Sequence, residues 1–256
     1  MDKQEVIFED LGIINYKSAW DYQEELVKKN RDIKAEARKN RIEGTNDDSF
    51  RRPRLLPTLN HLLFCEHPPV YTLGKSGHIE NVLLNEQEME EKEIEFFRTN
   101  RGGDITFHGL QQVVGYPILD LEKFYTDIGK YLRSLEEVII LTIAEYGIKG
   151  ERSKGETGVW IEPEIPGRER KICAMGIRCS RWITMHGFAL NVNTDLSYFN
   201  NIIPCGIVNK QVTSIEKELG RKVNFEEVKE RIKNNFAQVF DVSFTSIRSL
   251  VHQGAE

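Results

Sequence analysis

Two residues of this chain, a cysteine and a lysine, carry side chains suited to nucleophilic chemistry. Cys205 stands between Pro204 and Gly206. Proline stiffens the backbone ahead of the thiol, and glycine permits a turn that a Cβ resists, so a cysteine there is presented rather than packed. A cysteine at an arbitrary position is more often a small, inert core residue. Lys171 opens an alternating run, Lys171-Ile172-Cys173-Ala174-Met175-Gly176-Ile177-Arg178, that reads as a strand. A second strand-like run, Ile183 to Val192, holds Gly187-Phe188-Ala189 in its middle. Glycine inside a strand marks a bulge or a close approach to the backbone. Adjacent strands can bring a lysine near a presented thiol. A free thiol, with a pKa of about 8.5, is only slightly ionised at neutral pH, and an amine beside it can take its proton. By residue type alone, Lys171 reads as a solvated lysine at a strand start.

The surrounding pattern changes that reading. Arg101-Gly102-Gly103-Asp104-Ile105-Thr106-Phe107-His108-Gly109-Leu110-Gln111-Gln112 is followed by Tyr116. Together with Lys171-Ile172 leading to Gly176, and Pro204-Cys205-Gly206, it resembles the signature of the lipoyl(octanoyl) transferases. The Glu66-His67-Pro68-Pro69-Val70-Tyr71-Thr72-Leu73-Gly74 run is similar to the same family, and the likeness extends from about Leu11 to about Gly220. One departure stands out, since Gly109-Leu110-Gln111-Gln112 replaces the family's usual Gly-Pro-Gly-Gln. The resemblance implies transfer of an octanoyl group from acyl carrier protein to lysines of lipoyl domains, those of 2-oxoacid dehydrogenase complexes and the glycine cleavage H protein. It implies Cys205 as acyl acceptor and Lys171 as its catalytic partner, with no cofactor and no metal. The loop Arg101, Gly102, Gly103, Asp104, Ile105, Thr106, Phe107 and His108 would bind substrate, with Gly102 and Gly103 supplying backbone N–H groups where a thioester oxygen or acyl tail can come close. Ala174, Met175, Gly176, Gly187, Phe188 and Ala189 would line an acyl slot, where each buried methylene is worth about 0.8 kcal/mol. Bulk added at Ala174 or Gly187 would then shorten the preferred chain. His108 has two roles open to it, an oxyanion-side donor or a structural hydrogen-bonder in the site wall. His67, ahead of Pro68-Pro69, reads as a corner brace rather than a catalyst.

The positioning elements follow from hydrophobic period. With 256 residues, one large domain spanning 1–256 is expected. Val6 to Gly12 reads as a strand, and Tyr16 to about Lys39 as a helix whose apolar stripe fades. Residues 28–54 are dense in charge, and Gly44-Thr45-Asn46-Asp47-Asp48 breaks a helix, so this segment reads as a solvated surface insertion. His61 to Gly74 gives two strands about a Pro-Pro corner, Glu86 to Glu93 a surface helix, and Ile94 to Arg98 a strand. Glu122 to Gly147 carries Phe124, Ile128, Leu132, Leu135, Ile139 and Ile143 at helical spacing. Thr157 to Ile161 reads as a strand, Val212 to Leu219 and Phe225 to Phe240 as helices, and Val242 to Ile247 as a last strand. Clustered strands with interspersed helices predict an α+β fold around a mixed sheet, which agrees with the biotin and lipoate ligase catalytic fold that the resemblance implies.

Composition bounds the alternatives. Lys and Arg number 35 against 40 Asp and Glu, a net charge of −5, which gives no support for nucleic-acid binding. No apolar run approaches the ~18 residues of a membrane span, and the acidic start lacks the apolar core of a signal peptide. The four cysteines form no Cys-x-x-Cys pair. Cys173 and Cys179 share a strand face about 20 Å apart, too far for one disulfide or one metal. Reduced thiols in a cytoplasmic protein are expected. Two other functions fit less well. An ATP-using lipoate or biotin ligase of the same fold needs no nucleophilic cysteine, and a non-catalytic lipoyl-domain-binding module needs neither Cys205 nor Lys171. For docking the acidic carrier protein, Arg51, Arg52, Arg54, Arg168 and Arg170 are the available cations.

Overall fold

The computed structural model describes residues 3–43, 57–203 and 211–245. In chain order the elements are β1 (Gln4–Ile13), α1 (Tyr16–Glu43), β2 (Asn60–Glu66), β3 (Val70–Leu73), α2 (Glu86–Glu91), β4 (Glu95–Arg98), β5 (Ile105–His108) and β6 (Gln112–Ile118). Then follow α3 (Ile128–Ala144), β7 (Val159–Ile161), β8 (Arg170–Ser180), β9 (Ile183–Asn191), β10 (Gln211–Val212), α4 (Ile215–Leu219), α5 (Phe225–Phe240) and β11 (Val242–Thr245). The main sheet runs β10-β8-β9-β6-β2-β1-β11, with β7 also paired to β8. Parallel pairs (β10/β8, β2/β1, β1/β11) and antiparallel pairs (β8/β9, β9/β6, β6/β2) make it mixed. A small second sheet, β4-β3-β5, stands beside it.

The two faces of the main sheet bury different sets of side chains, as period-2 strands require. One face meets α3 and α5 through Leu135, Ile139, Ile143, Ile232 and Phe236. The other meets α1, where Ala19, Leu26 and Val27 pack on Val114, Met185 and Ala189. Among the described residues no helix is long and apolar enough to cross a membrane.

Three element boundaries differ from the sequence expectation, each through local polar contacts. The charged stretch after Lys28 continues α1 to Glu43 instead of forming a surface loop. Pairs at i,i+4, such as Lys29–Glu25 at 2.6 Å, suit a helix surface. Asn30 exchanges two hydrogen bonds with the Leu59 backbone at 2.7 and 2.9 Å, and Lys34 reaches Asp120 at 2.8 Å. Residues 44–56, with Arg51, Arg52 and Arg54, lie outside the described residues. The helix α3 starts at Ile128 rather than Glu122, because Asp127 caps it by accepting the Lys130 amide at 2.9 Å. Val212 is in a strand rather than a helix, and α4 begins only after Ser214, whose hydroxyl accepts the Lys217 amide.

Candidate active site

The cavity forms where β8, β9 and β6 are crossed by the segment carrying Arg101. In the β8/β9 ladder, Ala174 faces Ala189, Met175 faces Phe188, and Gly176 faces Gly187. These six residues line a cavity of about 610 Å³, within the usual range for small-molecule sites. Missing Cβ atoms make the crossing possible. A Cβ on Gly176 would lie 2.6 Å from the Gly102 carbonyl oxygen, so the loop rests directly on the strand. A Cβ on Gly187 would lie 2.1 Å from the Gly115 carbonyl oxygen and 2.6 Å from Pro117 Cδ. Bulk at Gly187 therefore runs into β6 instead of filling the slot, which corrects the expectation that it would shorten the acyl chain. Ala174 remains the position where added bulk enters the cavity.

The loop is braced from within. The buried Arg101 guanidinium donates from Nη2 to the Thr72 carbonyl at 2.6 Å and to Thr72 Oγ1 at 2.9 Å, and from Nη1 to the Gly102 carbonyl at 3.0 Å. The Gly102 amide donates to the Ile177 carbonyl at 2.8 Å. That amide is spent on the strand, so the expectation that it meets a thioester oxygen fails for Gly102. Gly103, Asp104, Ile105 and Thr106 also face the cavity. Asp104 accepts from its neighbour's amide, Ile105, at 2.7 Å and from Asn81 Nδ2 at 2.9 Å. Phe107 does not join them. Its ring is buried in the cluster behind the small sheet, stacked on Tyr198 with 4.6 Å between centroids and 4° from parallel.

His108 lines the cavity as one link of a fixed polar chain. The amide nitrogen of Gln112 donates to Phe107 and Asn191, leaving its Oε1 as acceptor for His108 Nδ1–H at 2.9 Å. Nε2 then accepts from the Thr72 hydroxyl at 3.3 Å. Burial, helped by nearby His67 and Arg101, holds His108 well below the ordinary histidine pKa, so the ring is neutral. His67 donates from Nδ1 to the Ile14 carbonyl at 2.7 Å and accepts the Tyr116 hydroxyl at Nε2, also 2.7 Å. It is fully buried, and burial pushes its pKa down to about 4. His67 thus ties the Pro-Pro corner to β1 and β6.

Lys171 lines the same cavity. It is half-buried, its strand neighbours are Trp160 on β7 and Val212 on β10, and its ammonium sits 4.5 Å from the Trp160 ring centroid. Its carbonyl accepts the Thr213 amide at 3.0 Å. Cys205 falls outside the described residues. The described chain on either side is anchored, with the Ile203 amide on the Asn81 carbonyl at 2.8 Å and Val212 in register with Lys171. Arg170, next to Lys171, is consumed rather than available. It meets Glu218 at 2.6 and 2.7 Å and Glu162 at 2.5 Å, and these carboxylates raise its pKa further. That corrects its assignment to a docking patch.

Sequence reasoning did not single out Tyr16, His186, Leu132, Glu156 and Thr157, which also line the cavity. Tyr16 and Leu132 look like ordinary apolar helix positions, and Tyr16 stacks on His108 at 5.9 Å. His186 takes a left-handed φ of 59° inside β9, held by Gln23 on its amide at 3.0 Å and by Asn100 on Nε2 at 2.8 Å. The neighbouring Gly187 is the one local sequence signal of this left-handed backbone.

The model of the lipoyl protein ligase A/B catalytic domain family matches residues 15–237. The chain belongs to this family. Relatives among lipoyl protein ligase A/B domains include the octanoyltransferase of Christiangramia forsetii, 58% identical over 93% of this chain and 96% of its own length. Flavobacterium psychrophilum octanoyltransferase is 59% identical over 91% of this chain and 95% of its own. A crystal structure of lipoate-protein ligase A bound with ATP superposes with a TM-score of 0.67 over 99% of this chain and 94% of that one, at 14% identity. The T. acidophilum protein Ta0514 with bound lipoic acid gives 0.64 at 15% identity, with 99% and 94% covered. The family's mixed sheet with flanking helices is thus the fold seen here, as expected from the sequence.

Proposed function

We propose that this protein transfers octanoyl groups from acyl carrier protein to lysines of lipoyl domains, through a thioester on Cys205. The observation that carries the transfer is the 58% identity to an octanoyltransferase over nearly the whole of both chains. The cavity adds a physical reason. Its Ala and Gly residues leave room for a straight alkyl chain, and Lys171 stands in its wall.

The chemistry follows from the two side chains. Lys171 takes the Cys205 proton, and the thiolate attacks the thioester carbonyl of the octanoyl carrier. A new C–S bond forms, the old one breaks, and the departing phosphopantetheine thiolate takes the proton from the Lys171 ammonium. The amine of the acceptor lysine then attacks the Cys205 thioester. A C–N bond forms, the C–S bond breaks, and Lys171 passes the amine's proton toward the released Cys205 sulfur. Lysine suits this cycle because it can exist neutral, whereas arginine stays charged. The neutral His108, with both ring nitrogens engaged by Gln112 and Thr72, walls the site and takes no part in the proton transfers. The acceptors are lipoyl domains of 2-oxoacid dehydrogenase complexes and the glycine cleavage H protein, and the reaction takes place in the cytoplasm.

Transfer to a purified lipoyl domain, followed by its mass, tests this reading. Octanoylation from octanoyl-acyl carrier protein without ATP is expected. Transfer from free octanoate that depends on ATP, with none from the carrier, would make the protein a ligase instead.

A further inference from the structure

A carboxylate sealed into the core lies behind the lysine, and the reaction above makes no use of it. Glu136 on α3 has a fully buried side chain. Its Oε1 accepts the Gly158 amide at 3.1 Å, and its Oε2 faces Arg152 Nε at 3.1 Å and Arg133 Nη1 at 2.7 Å. Arg152 donates further to the Arg133 carbonyl at 3.0 Å and to Glu137 at 2.5 Å. A bare charge in such a place would be costly, so a partnered one marks a junction that the fold maintains.

What the junction holds is the wall beside Lys171. The segment it pins runs from Arg152 to Gly158, and both ends are clamped, since Glu151 and Trp160 exchange backbone hydrogen bonds at 2.8 and 2.9 Å. Glu156 and Thr157, inside that segment, line the cavity. A Cβ on Gly158 would sit 2.5 Å from the Cys173 carbonyl and 3.7 Å from Lys171 Cδ, so the segment lies against the lysine's stem. Two residues later comes Trp160, whose ring lies under the Lys171 ammonium. Stem and head of the lysine therefore both rest on chain that Glu136 and Arg152 fix.

We infer that Glu136, through Arg152 and the Gly158 amide, is a positioning residue that sets where the Lys171 amine points into the acyl cavity. Its catalytic consequence rests on the role proposed above for Lys171, but the placement of the amine does not. Glutamine at 136 would keep the shape and the bond to Gly158. Its amide N–H groups would then face the guanidinium N–H groups of Arg133 and Arg152, donor against donor. The segment loosens, and a shift of about 1 Å at a catalytic group can lower a rate about a hundredfold.

The test compares wild type, Glu136→Gln and Arg152→Gln, each checked for cooperative unfolding. Lysine acylation by sulfosuccinimidyl acetate is followed at Lys171 and at Lys17, an exposed control on α1, and octanoyl transfer is measured alongside. Both variants are expected to change the Lys171 rate by about threefold or more, with Lys17 unchanged, and to transfer at least about tenfold more slowly. A purely structural role would leave the Lys171-to-Lys17 ratio at its wild-type value in a folded variant, and that result overturns the inference whatever the transfer rate. Should Glu136→Gln not fold, Arg152→Gln decides by the same ratio, since its side chain is about one-third exposed. A changed ratio with undiminished transfer would count against the role of Lys171 in catalysis and leave its placement by Glu136 standing.

Discussion

Substituting Gly176 by alanine probes the place where the Arg101 loop crosses β8. The new Cβ would lie 2.6 Å from the Gly102 oxygen and 3.3 Å from Arg101 Cδ, where ordinary contact begins near 3.4 Å. Backbone cannot swing away as a side-chain end can, so the loop must retreat by most of an ångström. That stretches the 2.8 Å bond from the Gly102 amide to Ile177 beyond hydrogen-bond length. Losing it costs about 1 kcal/mol, and the forced overpacking about 1–3 kcal/mol more. Alanine's smaller unfolded-state entropy offsets about 0.5 kcal/mol. The net destabilisation of about 1.5–3.5 kcal/mol lowers Tm by about 3–14 °C at this chain length. Octanoyl transfer, with the cavity roof displaced, should fall about ten- to a hundredfold. Thermal unfolding and transfer rate are both read on the same preparation. A Gly176→Ala protein with wild-type Tm and wild-type transfer would refute the crossing contact.

Ala174→Leu, which does point bulk into the cavity, is expected to favour hexanoyl over octanoyl donors; an unchanged ratio of the two rates would remove Ala174 from the acyl path. Lowering pH should destabilise the fold through its buried neutral histidines. His67 titrates near 4 when folded and near 6.5 when unfolded, so the unfolded chain holds the extra proton between those values. Its contribution is therefore complete above about pH 6.5 and is lost as pH falls toward 4, by up to about 3 kcal/mol. Denaturant melts of His67→Gln should show a shallower loss across that window, and an equal slope would contradict the assignment. Arg170→Gln should cost about 1–3 kcal/mol of stability from its charged hydrogen bonds to Glu218 and Glu162. The salt dependence of acylation should stay as in wild type, and a flattened one would return Arg170 to the docking surface.

Strand periods and the two spaced motifs made most of this architecture readable. The ladder partners Ala174/Ala189 and Gly176/Gly187 were legible as small residues in two consecutive strand-like runs. What escaped notice depends on tertiary contacts. Charge density after Lys28 looked like a solvated loop, yet Asn30 and Lys34 find partners 29 and 86 residues away that hold the helix together. The Gly102 amide looked free because its acceptor, Ile177, belongs to a strand met only in the folded chain. Gln111 stands where the octanoyltransferase pattern has glycine, and its φ of 61° explains that pattern. Its left-handed backbone is stabilised by Glu66 on its amide at 2.6 Å and by Asn193 on its side chain at 2.9 Å. Glu136 gave no signal at all, since a glutamate on a long helix ordinarily faces water.

The dyad is tested most directly by peptide-mapped mass after mixing the protein with octanoyl-acyl carrier protein, in wild type, Cys205→Ser and Lys171→Arg. Wild type should carry one octanoyl group on Cys205 and lose it when a lipoyl domain is added. Cys205→Ser should carry none. Lys171→Arg, which retains the positive charge of the proposed partner, should keep a thiol that reacts with a small alkylating agent while failing to pass octanoate to the domain. An octanoyl group found elsewhere than on Cys205, or a Lys171→Arg protein transferring at the wild-type rate, would contradict the mechanism.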